Sequence, residues 1–315
     1  MMKYLVILLS NQSTSYCCYD SSKNIVENEL IPLDTLQNAI RYAFIEDLFI
    51  QFVLPSCSLP QEYENIIFSI KASIIAPVET RYYKVDVLVI NGFVELKNSV
   101  IRKDVSYVLR INKSDFFDNY KSLVERLSEF SRLNIIFTDI ENFTNNDFDI
   151  YIGILNELVF CVKDIILSGY TIQLNILTDR LSQEKMNNCN AGNNTITLAS
   201  NGQFYICPAF YYANEPALGN LKDGLIIKNS QLYQLEYAPL CRACDAYQCK
   251  RCVFLNKQLT REVNIPSKEQ CVMAHLERNA SRLLLQTLRE QIVYMPKTEI
   301  KEISYLDPFD NIKNK

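Results

Sequence analysis

The feature that most limits how this chain can fold is a cluster of cysteines towards its C-terminal end. Seven of its eleven cysteines fall between positions 189 and 271, and four of these occupy the segment CRACDAYQCKRC. Thiols two residues apart can reach one metal centre from a single turn, so C-x2-C pairs recur in zinc and iron–sulfur sites. The spacing therefore predicts a turn-rich metal-binding module rather than a set of buried structural thiols.

The predicted metal ligands are the seven clustered cysteines: Cys189, Cys207, Cys241, Cys244, Cys249, Cys252 and Cys271. Two [4Fe–4S] clusters would need about eight ligands, and so would two zinc ions. The single histidine, His275, follows Cys271 by one helical turn and would face the same side of a helix. We expect two [4Fe–4S] clusters, with two zinc ions as the alternative, and interpret His275 by itself as a surface or cap residue.

Composition narrows the remaining functional classes. The chain has 315 residues and a net charge of −4, so it lacks the basic excess of nucleic-acid-binding proteins. Its seven glycines form no Gly-x-Gly or P-loop pattern, which argues against a dinucleotide or nucleotide site. No run of about 18 apolar residues occurs, so no membrane span is expected.

The N-terminal segment MMKYLVILLS is interpreted as a first strand rather than an export signal. Its apolar stretch is short for such a signal, and no small-residue cleavage site follows. We therefore expect a cytoplasmic protein. In that reducing compartment, clustered thiols indicate metal binding or catalysis more often than disulfides.

The first 185 residues alternate between strand-like and helix-like patterns. Strands are predicted at 4–9, 49–54, 74–76, 85–90, 106–111, 134–140 and 171–177. Helices are predicted after an N-cap at Asp34, around 63–70, from about Ser114, and over 145–168, with Gly169 at the C-terminal end of the last. The first helix is expected to bury Leu36, Ala39, Ile40, Ala43 and Phe44. This alternation predicts an α/β fold with a mostly parallel sheet, or a partial (β/α)6 barrel.

Three segments are expected along the chain: an α/β domain at 1–185, a small turn-rich cysteine domain at 186–295, and a C-terminal tail at 296–315. A helix from about Gln270 to Met295 is predicted to close the cysteine domain. Arg278 and Arg282 lie one turn apart on this helix and are interpreted as a solvated or ion-paired face.

The cysteine pattern resembles the SPASM domain, the auxiliary-cluster module of radical S-adenosylmethionine enzymes that modify peptides. Cys189, Gly202 and Cys207 match the first half of the family pattern as C-x12-G-x4-C. In the second half, C-x2-C-x4-C-x2-C, two inner spacings are each one residue shorter than in the family. The resemblance implies that one cluster is held by Cys241, Cys244, Cys249 and Cys271, and a second, with one open iron, by Cys189, Cys207 and Cys252.

Radical S-adenosylmethionine enzymes also carry C-x3-C-x2-C in the loop after their first strand. Here that loop, SNQSTSYCCYD, contains only Cys17 and Cys18. Adjacent cysteines point in divergent directions and do not replace three spaced ligands. The first domain thus resembles a degenerate radical scaffold without the residues for radical initiation, and whether the chain is itself an enzyme stays open.

The segment CKRCVFLNKQLTREVNIPSKEQCVMAHLERNASRLL also resembles proteins identified as CXXX-repeat peptide maturases. The resemblance implies an iron–sulfur protein in the maturation of a ribosomally made precursor peptide with repeated cysteines. It further implies that the chain binds this peptide or acts with a partner modifying enzyme. The alternative is a zinc-stabilised binding or adaptor protein without a redox role.

Overall fold

The structure is a computed structural model that describes residues 2–21, 28–186, 188–291, 298–308 and 310. Its strands are β1 (Tyr4–Leu8), β2 (Phe49–Val53), β3 (Ser73–Pro77), β4 (Val87–Asn91), β5 (Ser106–Ile111), β6 (Arg132–Phe137), β7 (Gln173–Leu174), β8 (Thr195–Leu198), β9 (Phe204–Tyr205), β10 (Gly219–Asn220) and β11 (Gly224–Leu225). Its helices are α1 (Leu33–Ile45), α2 (Gln61–Ile67), α3 (Gly92–Asn98), α4 (Lys113–Arg126), α5 (Asn145–Leu167), α6 (Asp179–Ser182), α7 (Pro208–Tyr212), α8 (Val253–Thr260) and α9 (Lys268–Arg289).

The chain forms two compact units, each assembled from two separate stretches. The first unit comprises residues 1–90 and 189–238, and the second comprises residues 91–188 and 239–315. The domain boundaries near 185 and 295 that the sequence suggests stay a prediction.

The first unit is built on strands in the order β4-β3-β2-β1-β8-β9. All neighbours in this order are parallel except β8 and β9, which pair antiparallel. Strand β1 lies inside this arrangement, and Leu5, Val6, Ile7 and Leu8 are buried. Strands of a parallel sheet are covered on both faces, which explains why β1 is a continuous apolar run rather than an alternating one.

Helix α1 confirms most of the predicted buried face. Leu36, Ala39, Ile40 and Ala43 are buried. Phe44 is 66% exposed, so its assignment to the buried face was wrong. Phe44 follows the buried Ala43 by one position, which is a rotation of about 100° around the helix, so its side chain lies outside the buried face.

The predicted N-cap at Asp34 was also wrong. Helix α1 begins at Leu33 after Pro32, and Asp34 lies within the first turn. Its carboxylate accepts a hydrogen bond from the backbone N–H of Thr35 at 2.7 Å. A carboxylate in the first turn still stabilises the helix through the macrodipole.

The second unit contains the parallel strands β5, β6 and β7, with β6 in the centre. Helix α5 begins with a capping box between Thr144 and Asp147 and ends before Gly169, whose φ of +86° is the left-handed conformation expected at that position. Helix α9 packs against α5. The closing helix is thereby confirmed up to Arg289, where it ends. The prediction was wrong at 290–291, and its part over 292–295 lies outside the described residues.

Both units therefore have the predicted α/β architecture with mainly parallel strand pairing. Within the described residues, none of the helices combines the length and the apolar character that a membrane crossing requires.

Candidate metal centre

The segment that precedes α8 and the first turns of α9 enclose a cavity in the second unit. Cys241, Cys244 and Cys249 line it from the segment, and Cys271 lines it from α9. These are the four cysteines that the sequence resemblance assigns to one cluster. Their convergence in one cavity is a feature of the structure, whereas their role as metal ligands stays a prediction.

Tight local turns place the three cysteines of the segment. The backbone N–H of Cys244 donates to the carbonyl of Cys241 at 3.1 Å, and that of Cys249 donates to the carbonyl of Ala246 at 3.0 Å. Two backbone N–H groups also point at sulfur: Ala246 donates to Cys244 Sγ at 3.4 Å, and Arg251 donates to Cys249 Sγ at 3.5 Å. Hydrogen bonds of this kind stabilise thiolates and orient metal ligands.

Helix α9 supplies the fourth cysteine. Ser267 and Gln270 form a capping box that sets the start of the helix at Lys268. Cys271 follows in the first turn, and His275 lies one turn later on the same face. Both residues line the cavity, as their four-residue spacing predicted.

The interpretation of His275 as a surface or cap residue was wrong. Its side chain is only 3% exposed and its ring faces the cavity. Nδ1 bonds to the carbonyl oxygen of Leu306, and Nε2 lies 3.5 Å from Cys244 Sγ. The ring of Tyr305 packs edge-on against the imidazole at 5.5 Å. Sequence spacing placed His275 on the correct face but did not reveal the C-terminal residues that cover it.

Burial shifts the ionisation of the cavity thiols. It raises the pKa of Cys241 to about 11, against the opposing effect of the Arg251 guanidinium. It raises the pKa of Cys271 to about 12, with further increases from Cys241 and Cys244. Metals bind thiolates, so metal binding here must release protons and become tighter as the pH rises.

The donor set of the cavity suits a soft metal centre. Four cysteine sulfurs and one imidazole line it, and these groups are ligands of both zinc and iron–sulfur centres. Among these described residues, no three of the donor atoms lie within 4.8 Å of one another. The residues present therefore fit either kind of metal centre.

Two buried arginines meet one carboxylate beside the cavity. The guanidinium of Arg278 donates to both carboxylate oxygens of Asp245, at 2.6 and 2.7 Å, and to the carbonyl of Lys301. Arg180 lies 3.4 Å from the same carboxylate, with its guanidinium over the ring of Tyr247. Burial raises the pKa of Asp245, but the two guanidiniums outweigh it and hold the pKa below its usual range.

Arg278 is fully buried, so the expectation of a solvated face was wrong for this residue and the ion-paired alternative holds. Asp245 directly follows Cys244 in the chain, and two positive charges accompany its one negative charge. Desolvation raises the pKa of the half-buried Cys244 thiol, and the charges of Arg278 and Arg180 oppose this rise. The surplus positive charge would also offset the negative charge of metal-bound thiolates.

The other predicted ligands are not among the described residues that line this cavity. Cys189 is exposed, and Cys207 is half-buried directly before α7, both in the first unit. Cys252 is the half-buried N-cap residue of α8 in the second unit. It does not appear among the described residues that line the cavity. The assignment of Cys189, Cys207 and Cys252 to one cluster stays a prediction.

The sequence analysis did not identify Cys17 as a neighbour of Cys189 and Cys207 in the first unit. Burial raises the pKa of Cys207 well above the ordinary range of a thiol, and the charges of Cys189 and Cys17 raise it further. Cys17 therefore lies near Cys189 and Cys207. The available signal was its position in the loop after β1, because the carboxyl ends of parallel strands are where ligand-binding loops gather.

Three tyrosine rings pack together near these thiols. Tyr19 stacks on Tyr212 with ring centroids 5.4 Å apart, and Tyr16 meets Tyr19 edge-on at 5.9 Å. Burial raises the pKa of Tyr16, and the neighbouring thiols, including Cys189 and Cys207, raise it further. These rings remain neutral at physiological pH.

A buried carboxyl group lies further along α9. Glu277 is 9% exposed and accepts a hydrogen bond from the Tyr151 hydroxyl at 3.1 Å. Burial raises the pKa of Glu277 to about 7, although the hydrogen bond from Tyr151 and the charge of Lys250 lower it. Glu277 thus links α9 to α5 as a partly protonated acid at neutral pH.

We expect Glu277 to make the fold less stable as the pH rises. Its folded-state pKa of about 7 exceeds the ordinary value of 4.5. Its contribution to the free energy of unfolding is therefore fully favourable below pH 4.5 and is lost as the pH rises from 4.5 through 7. Glu277→Gln keeps the partner of Tyr151 without the charge. It should stabilise the protein by on the order of 3 kcal/mol above about pH 8 and have little effect below about pH 4.5.

Urea unfolding followed by circular dichroism at several pH values measures this difference between variant and wild type. Glu125→Gln on the exposed face of α4 is the control, with an expected change below about 0.5 kcal/mol at every pH. A difference between Glu277→Gln and wild type that does not depend on pH would contradict the prediction.

Fold and cavity together define the class of this protein: an α/β protein with mainly parallel strands and a cysteine-lined cavity suited to a metal centre. No family model and no curated protein matches the chain. Solved structures do match. The chain is similar to anSMEcpe with bound AdoMet, at 14% identity and a TM-score of 0.61, over 92% of this chain and 96% of that one.

A second structure of anSMEcpe, native and with both AdoMet and the Cp18Cys peptide bound, matches in the same way. Identity is 14%, the TM-score is 0.61, and the match covers 92% of this chain and 99% of that one. At this level of identity the likeness establishes the fold over nearly the full length of both chains. It confirms the α/β architecture.

Proposed function

We propose that this chain is an iron–sulfur protein that acts in the maturation of a ribosomally made peptide with repeated cysteines. The observation that carries the proposal is the convergence of Cys241, Cys244, Cys249 and Cys271 on one cavity. Four cysteine sulfurs are the usual ligand set of a [4Fe–4S] cluster, which supports a cluster as the proposed centre. A second cluster that includes Cys189, Cys207 and Cys252 is part of the proposal on sequence grounds.

Two further observations support the link to peptides. The cysteine pattern resembles that of SPASM-containing peptide maturases. The structural neighbour anSMEcpe binds AdoMet and has been solved with the Cp18Cys peptide. Because the fold is shared over nearly the whole length of both chains, we propose a peptide as the class of partner for this chain.

Within the second unit, the proposed roles follow from the contacts. The four cysteines would hold the cluster, which when bound supplies one-electron transfer and an acceptor for soft ligands. The N–H groups of Ala246 and Arg251 orient two of the sulfurs. The guanidinium of Arg278 is fixed beside the cavity by Asp245 and keeps positive charge near the thiolates.

We propose that the chain binds the peptide or acts with a partner enzyme, rather than starting radical chemistry itself. Radical initiation needs three spaced thiolates on one cluster, and the loop after β1 offers only Cys17 and Cys18. Their sulfurs lie within 4.8 Å of each other, contrary to the divergence expected for adjacent cysteines, but the loop still supplies one thiolate too few. The chemistry would then come from a partner that cleaves S-adenosylmethionine.

Peptide binding by the anaerobically purified full chain tests this function. A fluorescent synthetic peptide with several cysteines at four-residue spacing should bind to the iron-loaded protein, and the same peptide with serine in place of cysteine should bind much more weakly. Under reducing conditions S-adenosylmethionine should stay intact.

Three results would count against the proposal. Equal binding of the two peptides would remove the role of cysteine. Cleavage of S-adenosylmethionine that is lost in Cys17→Ala would show a complete radical enzyme. A colourless protein with about two zinc ions per chain would establish the adaptor alternative.

A further inference from the structure

The cavity holds one donor more than a single [4Fe–4S] cluster can use. Four cysteine sulfurs and the imidazole of His275 line it, whereas such a cluster has four irons that each take one protein ligand. His275 Nε2 and Cys244 Sγ are 3.5 Å apart, so these two donors are direct neighbours in the cavity.

Hydrogen bonding determines which nitrogen of His275 is available. The carbonyl oxygen of Leu306 can only accept, so Nδ1 carries the proton in the bond between them. In the neutral imidazole Nε2 then presents a lone pair towards the cavity. A histidine that ligates a metal commonly donates its other ring N–H to a backbone carbonyl, and His275 has this arrangement already in place.

From this geometry we infer that His275 Nε2 is an iron ligand of the cavity cluster, and that Cys244 is a reserve ligand for the same iron. The inference rests on the proposed iron–sulfur centre and replaces one of its four proposed cysteine ligands, Cys244, with His275. Coordination forms an iron–nitrogen bond through the Nε2 lone pair and breaks no N–H bond, while Cys244 keeps its thiol proton. Three cysteines, Cys241, Cys249 and Cys271, hold the remaining irons.

His275 is the only histidine of the chain, which makes a spectroscopic test unusually specific. The full chain is produced without a histidine tag in medium containing ¹⁵N-labelled histidine, then purified and reduced anaerobically. Pulsed electron paramagnetic resonance of the reduced clusters should show one strongly coupled ¹⁵N nucleus, because direct bonding transfers spin density to nitrogen. His275→Gln should lose this coupling while it retains its iron.

Variants at the two competing donors give a second, independent measurement. His275→Gln and Cys244→Ala should each keep the cavity iron, because the other donor takes the shared position. The double variant should lose it, about four iron atoms per chain relative to wild type. This pattern does not arise if His275 has only a packing role.

Each outcome decides the inference. Absent or weak ¹⁵N coupling in an iron-loaded protein would overturn the assignment of His275 and leave the proposed function intact. Loss of the cavity iron in Cys244→Ala alone would likewise show that Cys244 is the obligatory ligand. A protein that contains no iron after anaerobic purification would overturn both the assignment and the proposed function.

Discussion

Replacing Cys241 and Cys271 together with alanine should remove the cavity iron, about four atoms per chain. The two thiols come from separate parts of the sequence, Cys241 from the segment before α8 and Cys271 from the first turn of α9. Without them, Cys244, Cys249 and His275 are the cysteine and histidine donors left among the described residues of the cavity, fewer than four irons need. Iron and sulfide content after anaerobic purification measures the loss, together with the visible absorbance of the clusters.

A matched control replaces two cysteines outside the cavity. Cys57 is exposed, and Cys161 is half-buried on α5 with its thiol directed at the carbonyl of Val124. Cys57→Ala/Cys161→Ala should keep the iron content of the wild type. If both double variants hold the same amount of iron, the four-cysteine cavity is not a cluster site.

The second large effect is expected at Arg278. Its side chain is fully buried, and its guanidinium donates two hydrogen bonds to Asp245 and one to the carbonyl of Lys301. Arg278→Met keeps the apolar stem but removes these bonds and leaves the Asp245 carboxylate with less compensation. Breaking such a pair from one side should lower the free energy of unfolding by about 2 kcal/mol, less than for a fully buried pair because the Asp245 side chain is 36% exposed.

Arg282 provides the control, because it lies one turn further along the same helix. Its ion pair is with Glu302, whose side chain is 78% exposed. Exposed pairs contribute little, so Arg282→Met should cost less than about 1 kcal/mol. Anaerobic urea unfolding of the full chain, followed by circular dichroism, compares the two variants. Similar losses for both would contradict the structural role assigned to Arg278.

Local patterns in the sequence predicted most of the regular structure. The continuous apolar run of β1 and the helix that ends at Gly169 were both recognised from spacing and terminal residues. These signals are local, since a strand or helix leaves its period in a short stretch of sequence. The errors at Asp34 and Phe44 concern the edge of one helix and the width of its buried face, which packing decides rather than period.

Such local patterns do not predict which strands pair when the strands are far apart in the sequence. Strand β8 follows the point at which the sequence changes to a turn-rich composition, and it was assigned to a separate cysteine domain. In the structure it pairs in parallel with β1 and continues the strand order of the first unit. No local feature of Thr195–Leu198 indicates which strand it will join, because the partner lies nearly two hundred residues away in the chain.

By itself the sequence determined which atoms are available for chemistry: seven clustered cysteines, one histidine and an α/β alternation of elements. Only the tertiary structure decided which of them meet. Cys271 and His275 reach the cavity because the capped start of α9 lies against the segment that carries Cys241, and Arg278 is buried where it pairs with Asp245. The physical reason is that burial and convergence depend on contacts between distant stretches of chain, whose free energy no short sequence window contains.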